Sequence, residues 1–237
     1  MGSTNRRHRD FFDEVSAGYD NFIRARGSKE ELSKRIEPRM GLKVLDIGNG
    51  GIREFVSPLT KQYIGLDFSL SMLKKGDKGF ERVCGDALAL PFKEEIFDTL
   101  FYRSMLHHLA GKRPGETEAR VKEALINGRH LLKESGNVIV VEPCIPKGLE
   151  RLERMGYFLI KLFCRVIRQP EVFLFSAFHL GEILRESGYK KISIQEIRSG
   201  KERPGRWVSP VIGLPWLKAP SGLLPVAQVV LEAYKGC

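Results

Sequence analysis

Three aspartates end apolar runs in the first half of the chain: Asp46 in VLDIGNGGI, Asp67 in YIGLDFSLSML and Asp86 in VCGDALALPF. A fourth run, FDTLFYRSMLHHL, leads into His107 and His108. Each residue type suits one task. Gly48, Gly50 and Gly51 let the backbone turn sharply and approach a ligand without Cβ contacts. A carboxylate at Asp67 can accept hydrogen bonds from both hydroxyls of a ribose, and one at Asp86 can accept from an adenine amino group beside Ala87 and Leu88. An imidazole titrates near neutrality and suits proton abstraction from an acceptor.

The order of these groups selects among nucleotide ligands. A dinucleotide fingerprint, G-x-G-x-x-G, needs glycine where this chain has Arg53. A pyrophosphate beside Asp46 would also meet an unfavourable charge. A zwitterion with an ammonium and a sulfonium would not, which points to S-adenosylmethionine. Each residue also has a plainer reading: Asp67 as a helix-capping acid, Asp86 as a turn residue, one of the two histidines as a packing group. Glu142, at the end of a fifth apolar run, is a further candidate base or an ion-pair partner. Four elements in this order, about twenty residues apart, favour the joint reading.

The elements that must position these groups alternate between β-branched runs and helical stretches, the pattern of βαβ units and a parallel sheet. Strands are predicted at Lys43–Ile47, Gln62–Leu66, Phe80–Cys84, Phe97–Tyr102, Asn137–Glu142, Lys191–Ile197 and Pro225–Tyr234. Helices are predicted at Phe11–Arg24, Lys29–Ile36, Ile52–Leu59, Ser69–Lys75, Thr117–Lys133 and Phe178–Ser187, with Gly136 and Gly188 as C-cap glycines. Two segments exceed a minimal domain of this kind. Residues 147–168 are amphipathic, with Leu152, Met155, Leu159, Phe163 and Val166 along one face. Residues 199–225 carry both tryptophans, Trp207 and Trp216. Both start at the carboxyl edge of the sheet and suit a lid over an acceptor, although the helix could equally cover its own core. The first ten residues read as a disordered basic arm. Residues 11–237 then form a single domain: a helical lid to residue 40, a cofactor-binding core over 41–142, the inserted helix over 143–176 and the C-terminal strands beyond.

On these residues the chain resembles the class I S-adenosylmethionine-dependent methyltransferases, within the group that includes the ubiquinone and menaquinone C-methyltransferases. The likeness covers roughly Phe11 to Glu142, with weaker support from FHLGEILRESGYKKISIQEI. It implies an α/β fold: a Rossmann-like seven-stranded sheet, last strand antiparallel, helices on both faces. It also implies cofactor contacts from Asp46, Gly48 and Gly50, from Asp67 and Phe68, from Asp86 and Ala87, and from the backbone at Arg103. Tyr19, in FFDEVSAGYDNF, matches a tyrosine that lies against the cofactor in that group. The pattern D-x-G-x-G-x-G is broken, since its third glycine position holds Ile52 and a glycine stands at Gly51 instead.

The expected reaction is an in-line methyl transfer to a small apolar or aromatic acceptor, lipid- or quinone-like, with His107 or His108 as base if the acceptor must lose a proton. The net charge of +10 favours anionic company. Peripheral contact with an anionic membrane and an RNA substrate therefore stay open as partners, and a non-catalytic cofactor-binding scaffold as a further alternative. Against RNA, the fourth motif reads YRSML and not N/D-P-P-aromatic. Four scattered cysteines make no disulfide framework or metal set, and the N-terminus has no apolar signal core. The expected setting is the cytoplasm.

Overall fold

The computed structural model describes residues 3–15, 29–197, 207–208, 219–220 and 226–236. Its helices are α1 (Ser3–Val15), α2 (Lys29–Ile36), α3 (Leu70–Lys75), α4 (Pro114–Leu131), α5 (Lys147–Val166) and α6 (Ala177–Glu186). Its strands are β1 (Lys43–Ile47), β2 (Gln62–Asp67), β3 (Glu81–Cys84), β4 (Phe97–Arg103), β5 (Leu132–Cys144), β6 (Lys190–Ile197), β7 (Trp207–Val208), β8 (Ala219–Pro220) and β9 (Ala227–Tyr234). Seven strands form one sheet in the order β3-β2-β1-β4-β5-β9-β6, and among the described residues β7 pairs with β8 alone.

β1 pairs in parallel with β2 and β4, while β9 lies antiparallel between β5 and β6. The central strands are buried on both faces, which is why they read as near-continuous apolar runs. Leu45, Leu66, Leu100, Tyr102 and Val140 pack on one side with Val121, Leu125, Leu180 and Leu184 of α4 and α6. Val44, Tyr63, Phe101, Ile139 and Val230 pack on the other with Leu32 and Ile36 of α2, and with Phe55. The seven-stranded sheet with helices on both faces is the architecture expected.

Three sequence expectations need correction. Ile52–Leu59 is not helical. Pro58 disfavours helix at the residue before it, which leaves too few residues for a stable turn. The segment is held instead by distant acceptors: Arg53 N donates to Asp77 Oδ2 at 3.3 Å and Val56 N to Glu37 Oε1 at 3.0 Å. Residues 3–10, expected as a disordered arm, belong to α1, whose His8 and Phe12 are buried one turn apart. The predicted helix Phe11–Arg24 is described only to Val15. Gly136 caps no helix, since α4 ends at Leu131 and Gly136 lies within β5. Gly188 follows α6 with φ +87, as a C-terminal cap requires.

Candidate active site

The carboxyl ends of β1, β2 and β4 open on one cleft, the place where open α/β sheets bind ligands. It encloses about 790 Å³ including its open mouth and is lined by His8, Phe12, Gly48, Gly50, Leu66, Asp67, Phe68, Met72, Gly85, Asp86, Ala87, Ser104, Met105, His108 and Leu109. Of the residues singled out in the sequence, Gly48, Gly50, Asp67, Phe68, Asp86, Ala87 and His108 therefore meet in one place. Tyr19 lies outside the described residues.

The glycine turn is built around Asp67. Gly48 N donates to Leu66 O at 2.7 Å, and Gly50 N to Asp67 Oδ2 at 2.9 Å. The second oxygen, Asp67 Oδ1, takes Ser69 N at 2.8 Å. Each oxygen keeps a further lone pair. Gly48 has φ +76, and a Cβ there would lie 2.1 Å from Met105 Cγ. Only glycine suits both the dihedral and the close approach of the loop after β4. Asp67 is buried, and this desolvation pushes its pKa up to about 6.

Asp46 stands behind the turn, not among the lining groups. It is buried, accepts a short hydrogen bond from the Tyr63 hydroxyl, and burial raises its pKa to about 7. Arg103 also turns away: its guanidinium pairs with Glu54 and lies 5.0 Å from the Phe55 ring centroid. The residue after it, Ser104, reaches the cleft. Asp86 is held by its own turn, with Leu88 N donating to Asp86 Oδ1 at 3.0 Å.

The two histidines part company. His108 lines the cleft, with its ring centroid 5.1 Å from that of Phe12 and 6.1 Å from that of His8. His107 Nδ1 lies 2.6 Å from Glu142 Oε2, while Glu142 Oε1 accepts Met105 N and Leu106 N, both at 2.8 Å. Buried Glu142 thus fixes both the loop after β4 and the His107 ring.

An N-terminal helical lid was expected from residue 11 on, but not His8 and Phe12 as the residues that line the cleft. His8 and Phe12 line the cleft beside His108, and Ser69 Oγ donates to Asp13 Oδ1, tying α1 to the cap of α3. The i, i+4 spacing of His8 and Phe12 was the available signal, masked by five charged or polar neighbours in NRRHRD. Burial holds the His8 pKa down to about 4.

A family model described as a methyltransferase domain matches residues 45–140, the span from β1 through most of β5 that carries every lining residue outside α1. Over that span the chain is similar to a methyltransferase domain. The chain is 28% identical over 214 residues to the demethylmenaquinone methyltransferase of Corynebacterium kroppenstedtii, covering 80% of this chain and 88% of the relative. In fold it is similar to a methyltransferase of Thermotoga maritima described as a possible histamine N-methyltransferase, with a TM-score of 0.64, 20% identity and coverage of 96% and 99%. It is also similar to a chain of the complex between the Haloferax volcanii Trm112 methyltransferase activator and a methyltransferase, with a TM-score of 0.65, 14% identity and coverage of 95% and 98%. At such identities the two structures speak to the fold alone.

Proposed function

We propose that the cleft binds S-adenosylmethionine and that the methyltransferase acts on a small apolar, aromatic or quinone-like acceptor. The observation that supports this is the mixed lining of the cleft. Asp67 and Asp86 share it with Phe12, Met105, Leu109 and His108. The residues present fit the cofactor. The free lone pairs of Asp67 suit the ribose hydroxyls, Asp86 and Ala87 the adenine, and the turn at Gly48 and Gly50 brings backbone close to the methionine portion. Phe68 offers a ring face to the nucleoside.

When bound, the cofactor supplies a methyl group on a sulfonium, transferred in line to the acceptor atom. The chain's own residues then have three tasks. Asp67 and the glycine turn fix one reactant, and alignment of this kind is worth roughly 7–11 kcal/mol of the barrier. Phe12, Met105 and Leu109 keep water from the reacting centre. His108 accepts the proton of an acidic acceptor at the cleft wall, while His107, held by Glu142, positions the loop that carries it. The demethylmenaquinone methyltransferase relative supports a quinone-like acceptor.

A label-transfer assay tests the reading. The protein is incubated with methyl-labelled S-adenosylmethionine and, separately, an organic extract, total RNA and a protein fraction of the host. Label in the organic extract is expected. Label in RNA or protein alone would refute the apolar acceptor, and an absence of label in all three would refute catalysis on these classes.

A further inference from the structure

α5 packs with its polar side inward. Tyr157, Lys161, Cys164 and Glu150 are buried, while Leu152, Met155, Phe158, Leu159, Leu162, Phe163 and Val166 are exposed, Met155 at 85% and Phe158 at 76%. A surface helix ordinarily turns the other way. Polar partners hold this one in place. Glu150 Oε2 accepts Ser176 N at 3.0 Å, Lys161 Nζ pairs with Glu171 at 2.8 Å, and Tyr157 donates to Gly111 O at 3.2 Å. Arg154 bridges to Glu118 of α4 at 2.8 Å. Rotating the helix to bury its apolar side would strand these groups, so the greasy stripe faces outward by construction.

The charges around the stripe indicate what covers it. Between residues 147 and 168 every exposed charged side chain is basic: Lys147, Arg151, Arg165 and Arg168. Arg165 is engaged by Glu171. Lys147 lies 4.3 Å from the ring centroid of Phe178, itself exposed, which extends the stripe onto α6. Among the described residues no helix is long and apolar enough to cross a membrane. Self-association through this face would oppose basic fringe to basic fringe, because a two-fold interface presents the same patch twice.

We propose that α5 docks the protein on an anionic lipid surface, lying in the plane of the interface. Phe158, Leu159, Leu162 and Phe163 enter the acyl boundary, and Lys147, Arg151 and Arg168 meet the headgroups. α5 begins three residues after β5 ends, at the sheet edge that carries the cleft. Docking thus brings the active site to the phase in which apolar molecules concentrate. It does not depend on which acceptor is methylated.

The test is co-sedimentation of the full chain with vesicles of phosphatidylcholine alone and of phosphatidylcholine mixed equally with phosphatidylglycerol. Neither vesicle contains an acceptor, so turnover plays no part. Binding to the anionic vesicles, weakened by salt, is expected. The F158S/F163S variant should bind about a hundredfold more weakly, and R151Q/R168Q about thirtyfold more weakly. Both alter exposed side chains outside the cleft, and an unchanged Tm confirms folding. Anionic binding that survives F158S/F163S would overturn the proposal. So would no binding at all, whether the protein is a monomer or a dimer that F158S/F163S dissociates.

Discussion

Replacing Asp67 by asparagine or alanine should separate cofactor binding from folding. Both carboxylate oxygens already hold backbone N–H groups, Gly50 at 2.9 Å and Ser69 at 2.8 Å. Each has one further site for a ribose hydroxyl. A hydrogen bond to a charged group contributes about 1.5–3 kcal/mol, so two contribute about 3–6 kcal/mol. D67A should therefore raise the Kd for S-adenosylhomocysteine roughly 10²- to 10⁴-fold, and D67N, which keeps one acceptor, roughly ten- to a hundredfold. Isothermal titration calorimetry measures both. The 2′,3′-dideoxy analogue separates ribose contact from damage to the loop: wild type should lose affinity for it, and D67A should not discriminate.

The pH dependence gives a second reading of the same group. Burial raises the Asp67 pKa from 3.8 to about 6. A raised pKa means the folded state holds its proton longer than the unfolded chain. Stability from this group is complete below the unfolded value and is lost as pH rises through about 6, a cost near 3 kcal/mol at neutral pH. The ligand bonds to the ionised form, so affinity should be greatest above about pH 6 and fall by up to about tenfold per pH unit below it. D67N should lack that slope. Equal affinity in D67A, or the same slope in D67N, would refute the ribose assignment.

Three further outcomes are expected. G48A forces a side chain to φ +76 against Met105; it should destabilise by about 2 kcal/mol or more and abolish cofactor binding, measured by denaturant melts and calorimetry. His8, with its pKa lowered to about 4 by burial, takes up a proton on unfolding between about pH 6.5 and 4. Its stability contribution is present above 6.5 and lost as pH falls, by up to about 3 kcal/mol; hydrogen exchange in α1 should report this, and H8F should flatten it. E142Q weakens the acceptor for Met105 N and Leu106 N and opposes an amide to His107 Nδ1. It should lower stability by about 2 kcal/mol, or some 4–8 °C in Tm.

Periodicity and turn chemistry made the sheet legible. β1 and α2 were predicted with their observed ends, because doubly buried strands and a well-patterned short helix announce themselves locally. The cofactor motifs were legible for the same reason, since each sits where a strand runs out. What escaped was set by distant partners. Ile52–Leu59 looks amphipathic yet is pinned by Asp77 and Glu37. His8 looks like part of a solvated basic arm, and its burial depends on a cleft that only the fold creates. Asp46 carries the residue type of a binding site but is turned to Tyr63, whereas the pairing of the Arg103 guanidinium with Glu54 leaves its expected role, a backbone contact, untouched. The stripe on α5 was visible, but not which way it faced; that was decided by the buried pairs of Glu150, Arg154 and Lys161.

The position of β9 has a consequence for how the chain acquires its fold. Among the described residues β6 pairs only with β9, and β5 pairs with β9 on that side as well. Made in order from the amino end, β5 and β6 must both wait for a strand translated later. Until it arrives, β5 presents an open ladder of amide and carbonyl groups, able to recruit another chain. Closing so remote a pairing is slow compared with the local α4–β5 unit. Nascent chains paused before residue 227 should accordingly be the aggregation-prone and chaperone-bound species, and a peptide of residues 226–236 supplied in trans should rescue them.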